Sequence, residues 1–94
     1  MKEKLLKIIK HYGVMPQLKY FQSEVFELNE AIIRAENPYE PIQDIDHIAE
    51  EIADMLVMLE QFRIYYDISL DRVKSIGRHK VDRQLERIKN ETKV

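Results

Sequence analysis

Apolar residues return at helical spacing in two long stretches. In the first, Leu18, Phe21, Val25, Leu28 and Ile32 stand three and four apart and make one seam. In the second, Ile45, Ile48, Ile52, Met55, Leu59 and Phe62 do the same. Beside each seam runs a second stripe: Tyr20, Glu24, Glu27 and Ala31 in the first stretch, His47, Glu51, Asp54 and Met58 in the second. No segment alternates with the period of a strand, so the fold class is all-α. Punctuation then divides the chain into four helices at about 2–12, 16–35, 44–66 and 69–90. Gly13 ends the first, and Pro16 suits the first turn of the second because its missing N–H has no helical partner there. "ENPYEPIQD" is a loop, since Pro38 and Pro41 each disfavour helix at the residue before them. Asp44 or Asp46 caps the third helix and Ser69 the fourth, in which Gly77 is a weak point.

Residues 55 to 59, "MLVML", are apolar without a break. At about 100° per residue five positions cover the whole helix circumference, so this turn is expected to be enclosed on every side. Asp54 immediately precedes it and Glu51 lies a turn back. A carboxylate in such a place is costly to desolvate unless something positive compensates it. Two facing pairs, ExxE at Glu24 and Glu27 and ExxD at Glu51 and Asp54, would converge as four acids, and a hard divalent cation relieves their repulsion. All-oxygen ligation points to Mg²⁺ or Mn²⁺ rather than Zn²⁺. Acid pairs at this spacing are common on charged helices and mostly solvated. What sets these apart is that both border a buried seam.

The composition narrows the setting. Ninety-four residues with two glycines, three prolines and 34% charged side chains suit one small helical domain. A domain this small buries only about 60 to 65% of its unfolded surface and gains from a partner, so a second copy is expected to complete the bundle around residues 55 to 59. With no cysteine there is neither a disulfide nor a thiolate metal site. "MKEKLLKIIKHYG" is charged throughout and reads as a short amphipathic helix, neither signal peptide nor membrane span, which makes the cytoplasm the expected compartment.

The net charge of −2 hides three blocks. Residues 1–34 hold six Lys/Arg and four Asp/Glu, 35–62 hold eight acids and no Lys or Arg, and 63–94 hold nine bases and five acids. Either the acidic and basic blocks pair across the fold, or a cation site stands beside an anion site, as a metal-bound phosphate compound requires. Nucleic acid is disfavoured as a partner because acids interrupt the C-terminal bases and no recognition-helix motif is present. Gln17 and Tyr20, one to two turns before Glu24, either pack at the helix start or reach a nucleobase by amide hydrogen bonding and stacking. His47 and His79 read as exposed, and Met55 and Met58 as core filling.

"PQLKYFQSEVFELNEAI" followed by "EEIADMLVML" resembles the MazG-type all-α nucleoside triphosphate pyrophosphohydrolases, whose motif is ExxE, a spacer, then ExxD. "YYDISLDRVKSIGRHKVDRQLERI" is similar to the segment in which these enzymes carry a Lys and, three residues later, an Arg, here Lys80 and Arg83. The resemblance covers residues 14–88. It implies antiparallel helical hairpins that assemble into four-helix bundles across a homodimer, often paired into a homotetramer. It also implies cleavage of (d)NTPs between the α and β phosphates to a monophosphate and pyrophosphate. On that basis Glu24, Glu27, Glu51 and Asp54 hold Mg²⁺, and Lys80 and Arg83 hold phosphate oxygens, with Arg78 a further candidate for the leaving pyrophosphate. Glu27 is the expected proton acceptor for the attacking water and Glu51 an indispensable acid. Two positions depart from the pattern: Ser23 replaces a Glu common before the first motif acid, and Arg78 an Asn common two residues before the Lys. Phosphoribosyl-ATP pyrophosphohydrolases share the acid pattern, but "DMLVML" lacks their Tyr-His pair. A non-catalytic helical dimerisation module, with acids serving solubility alone, is the alternative of another class.

Overall fold

A computed structural model describes residues 1–92, and every regular element within them is helical. The order is α1 Lys2–Tyr12, α2 Val14–Ala35, α3 Ile45–Tyr65 and α4 Leu70–Glu91. Helix α1 turns Leu5 and Ile9, one helical turn apart, inward against α2 and α3. It stops at Gly13, whose φ of 91° and ψ of 156° lie where side-chain-bearing residues are strained. The Gly13 N–H donates to Ile9 O (2.8 Å) and its carbonyl accepts from Gln17 N (3.2 Å). One residue therefore closes α1 and opens α2, which starts two residues before the expected Pro16. Pro16 then occupies the third helical position, still among the N–H groups that lack an intrahelical acceptor.

The loop after α2 folds on itself through Asn37, whose Oδ1 accepts from Tyr39 N (2.9 Å) and Glu40 N (3.3 Å). Of the two candidate caps for α3, Asp44 serves, accepting from His47 N at 3.1 Å. Helices α2 and α3 run antiparallel. Gln17 meets Gln61, the rings of Phe21 and Phe62 pack edge to face 5.7 Å apart, and Ala31 lies beside Ile48. At the far end of α3, Arg63 ties the turn into α4 by donating to Ile68 O (2.7 Å) and Glu60 (2.6 Å). Ser69 caps α4, accepting from Arg72 N at 3.1 Å.

Burial within the single chain departs from the pattern of the two seams in two places. The apolar seams meet across the α2–α3 hairpin at Phe21 and Phe62 but are not its most buried line. The most buried residues of α2 are Gln17, Glu24, Ala31 and Ala35, and those of α3 are Glu51, Met58, Gln61 and Ile64. The hairpin is thus closed along the stripes that contain the acids, and the neighbouring seams are half-buried or open: Val25, Ile32, Ile52 and Leu59 are exposed. The turn from Met55 to Leu59 is not enclosed either. Met58 is buried, while Leu56 is 58% exposed and Val57 and Leu59 nearly as open. Three helices do not suffice to surround it.

Helix α4 buries no residue and does not belong to the packed unit of α1, α2 and α3. Val73, Ile76, Val81, Leu85 and Ile88 are all exposed along it. The radius of gyration is accordingly 17.0 Å, against about 12 Å for a compact domain of this length. Among the described residues no helix is long and apolar enough to cross a membrane.

Candidate metal centre

The stripe that closes the hairpin brings three carboxylates together. Glu24 sits midway along α2, and Glu51 and Asp54 sit one turn apart on the facing helix. One oxygen from each lies within 4.8 Å of the others, an arrangement that can hold a metal ion. Glu24 is 5% exposed and Glu51 6%, whereas Asp54 opens to the surface. Glu24 Oε2 and Glu51 Oε2 are buried without any hydrogen-bond partner. An ionised oxygen in that condition lacks both solvent and a donor, and such groups ordinarily have one or the other. A cation of hard character fits the gap, because every available donor is a carboxylate oxygen.

The electrostatics follow from the crowding. Burial pushes the Glu24 carboxyl above its usual range; the Tyr20 phenol pulls it back, and the charges of Glu27 and Asp54 raise it further. Burial also raises Glu51, with Glu27, Glu24 and Asp54 adding to the effect and His47 opposing it. Hydrogen bonding to Glu24 and the charge of that carboxylate hold the Tyr20 phenol above its ordinary value. His47 Nε2 stands 3.8 Å from Glu51 Oε1, one turn back on the same helix and largely open to solvent.

The remaining expected residues are distributed unevenly. Glu27 is exposed and stands outside the three-acid group, on the wall of a shallow cleft that Glu51 and His47 share. Lys80 and Arg83 are exposed with His79 around a separate depression on α4, and Arg78 is exposed on the same helix. Within one chain α4 does not pack on α2 or α3, so the basic side chains are not brought to the acids. Nor do the acidic and basic blocks pair across the fold. Among the described residues the close ion pairs are His47–Glu51 and Arg63–Glu60, both internal to α3.

Gln17 and Tyr20 do lie next to the acids. They line a cleft of about 580 Å³ whose wall also includes Asp54 and Met58 of α3 and Ile8 and Tyr12 of α1. At its floor Gln17 Nε2 donates to Gln61 Oε1 at 2.8 Å. Sequence reasoning missed Gln61 and the contribution of α1. Gln61 was within reach: His47, Glu51, Asp54, Met58 and Gln61 continue the α3 stripe at spacings of four and three. Tyr12 carried no such signal, because its position depends on the direction the chain takes at Gly13.

Comparison with protein-family models, with characterised proteins and with solved structures finds no match.

Proposed function

We propose that the chain is a Mg²⁺-dependent nucleoside triphosphate pyrophosphohydrolase that cleaves (d)NTPs between the α and β phosphates and works in the cytoplasm as a homodimer, with pairing into a homotetramer open to it. The reading is carried by the convergence of Glu24, Glu51 and Asp54, two of them with buried oxygens that no protein group satisfies. The four-acid motif resembling MazG-type enzymes gives that convergence its reaction.

Glu24, Glu51 and Asp54 would hold the ion. Mg²⁺, or Mn²⁺ in its place, supplies charge neutralisation for the phosphates and makes a water more acidic. Glu27 remains exposed beside these ligands and takes the proton of the water that attacks the α-phosphorus. The bond from that phosphorus to the bridging oxygen breaks, and pyrophosphate carries the electron pair away. Lys80 and Arg83, with Arg78 beside them, neutralise the leaving group. Because α4 stands apart from the acids of its own chain, they do so in the assembled dimer, whose contacts also cover the open seams of α2, α3 and α4.

The test is a turnover screen over common NTPs and dNTPs with Mg²⁺, detecting pyrophosphate and orthophosphate separately. Pyrophosphate and a monophosphate are expected, and Glu51→Gln and Asp54→Asn should each abolish them while circular dichroism stays helical. Full activity in either variant refutes the assignment. The exposed apolar faces alone would equally suit a non-catalytic dimerisation module. In that case Mn²⁺ leaves the melting temperature where it is, whereas a bound ion at 100 times its Kd stabilises by about 2.7 kcal/mol.

A further inference from the structure

We infer that the cleft between α1, α2 and α3 is a nucleobase pocket in which Gln17 reads the base through its carbonyl oxygen, with Gln61 and Met58 fixing the sense of that amide. The inference rests on the nucleotide reading above and adds to it the means of base selection.

An amide side chain can be turned either way, but here its neighbours decide. Gln61 Nε2 lies 3.8 Å from Met58 Sδ, and a thioether accepts hydrogen bonds without donating any. The nitrogen of Gln61 therefore faces the sulfur and its oxygen faces Gln17. Gln17 must answer with an N–H, at 2.8 Å, in a contact that is buried on both sides. This leaves Gln17 Oε1 as an acceptor with no protein donor among the described residues. It is not among the buried unpartnered atoms, which are oxygens of Glu24 and Glu51, so it reaches solvent through the cleft that Gln17 lines. A ligand seated there has to bring an N–H.

Placement supports a base rather than another group. Gln17 precedes Glu24 by seven residues on the same helix, about 10 Å of rise. Two turns is the reach of a nucleoside from its 5′ phosphate to the far edge of its base. Asp54 stands at one side of the cleft, so the phosphates lie at the acids and the heterocycle at the amides. Tyr12 and Tyr20, both more than half exposed, present rings at the rim for stacking, and Ile8 and Val57 supply apolar wall. Helix α1 is thereby part of the site and not only a support for it.

The preferred nucleotide from the turnover screen would be compared with its analogue methylated at the Watson–Crick N–H, by kcat/KM. Wild type should favour the parent by about tenfold or more, since the analogue leaves the buried-side acceptor unpaired. Gln17→Leu should bring the ratio close to one. Gln61→Leu should erode it, and Gln61→Glu, which keeps an acceptor for the Gln17 N–H, should restore it; general loosening would not reverse in this way. Tyr12→Ala, at a surface position where folding is not at stake, should raise KM several-fold. A preference that survives both Gln17→Leu and Gln61→Leu, or a KM indifferent to Tyr12→Ala, overturns the pocket while leaving the reaction standing. Absence of turnover on every nucleotide by wild type defeats the functional reading itself.

Discussion

Glu24 and Glu51 are carboxylates that the fold buries without giving them a donor, and this makes the metal-free protein sensitive to pH in an unusual direction. Both hold their protons more tightly when folded than an ordinary carboxylate does, because burial disfavours their charge. The folded state then binds more protons than the unfolded one between the ordinary value, about 4.3, and the raised one. Their contribution to stability is complete below the ordinary value and is lost as pH rises through the raised values. In chelator, Glu24→Gln/Glu51→Gln should therefore be more stable than wild type at neutral pH, with the gap closing on acidification. Urea denaturation across the range from mildly acidic to neutral measures this, and parallel curves would show that neither group is buried in its charged form. A cation reverses the relation, since it binds the ionised acids. Much of this was legible in the sequence, because Glu24, Glu51 and Asp54 share stripes of helical period. That the acid-bearing stripes rather than the seams would be the most buried line of the hairpin was not legible, because a stripe and the seam next to it differ by little more than one residue of rotation.

At the level of elements, caps and breaks mark out four helices, and the structure has four in the same order. Asp44 and Ser69 both accept from the N–H three residues on, as their side chains dictate. Asp44→Ala should cost about 1 kcal/mol, and Asp46→Ala, in the first turn without a capping bond, clearly less. Chemical denaturation of the two variants distinguishes cap from bystander. Gly13 is the sharper case. An added Cβ there would meet Pro16 Cδ at 3.5 Å, an ordinary contact, so space is not the obstacle. The backbone is, and Gly13→Ala should cost about 1–3 kcal/mol from the dihedrals alone. Because Gly13 aims α1 at the cleft, the same change should also weaken nucleotide binding. A variant as stable as wild type would mean that the joint relaxes freely to another conformation. Sequence alone marked Gly13 as a stop; the direction in which the chain leaves it depends on ψ, which no side-chain pattern encodes.

For the whole molecule, the governing fact is that the apolar side chains exceed what one chain covers. Leu56, Leu59, Ile76 and Leu85 stay exposed although their spacing is that of buried faces. The surplus was legible in the sequence as seams of helical spacing, but not which helices the first three elements would leave over. Leu56→Asp should give a monomer in light scattering, with turnover lost alongside, if the dimer joins α4 to the acids. A stable, active dimer bearing that change would place the interface elsewhere. Helix α4 adds a consequence of its own. It has 22 residues and none of them is buried, and isolated helices of that kind are only marginally stable in water. If α4 packs only in the proposed dimer, its persistence is set by how much protein is present, and the Lys and Arg bonds along it become a gauge of assembly. On dilution, trypsin should then cut between Arg72 and Arg87 at a rate that climbs as the proposed dimers part, while α1 to α3 survive. A cell that makes too little of this chain would lose the arm that carries the basic residues before it lost the acids.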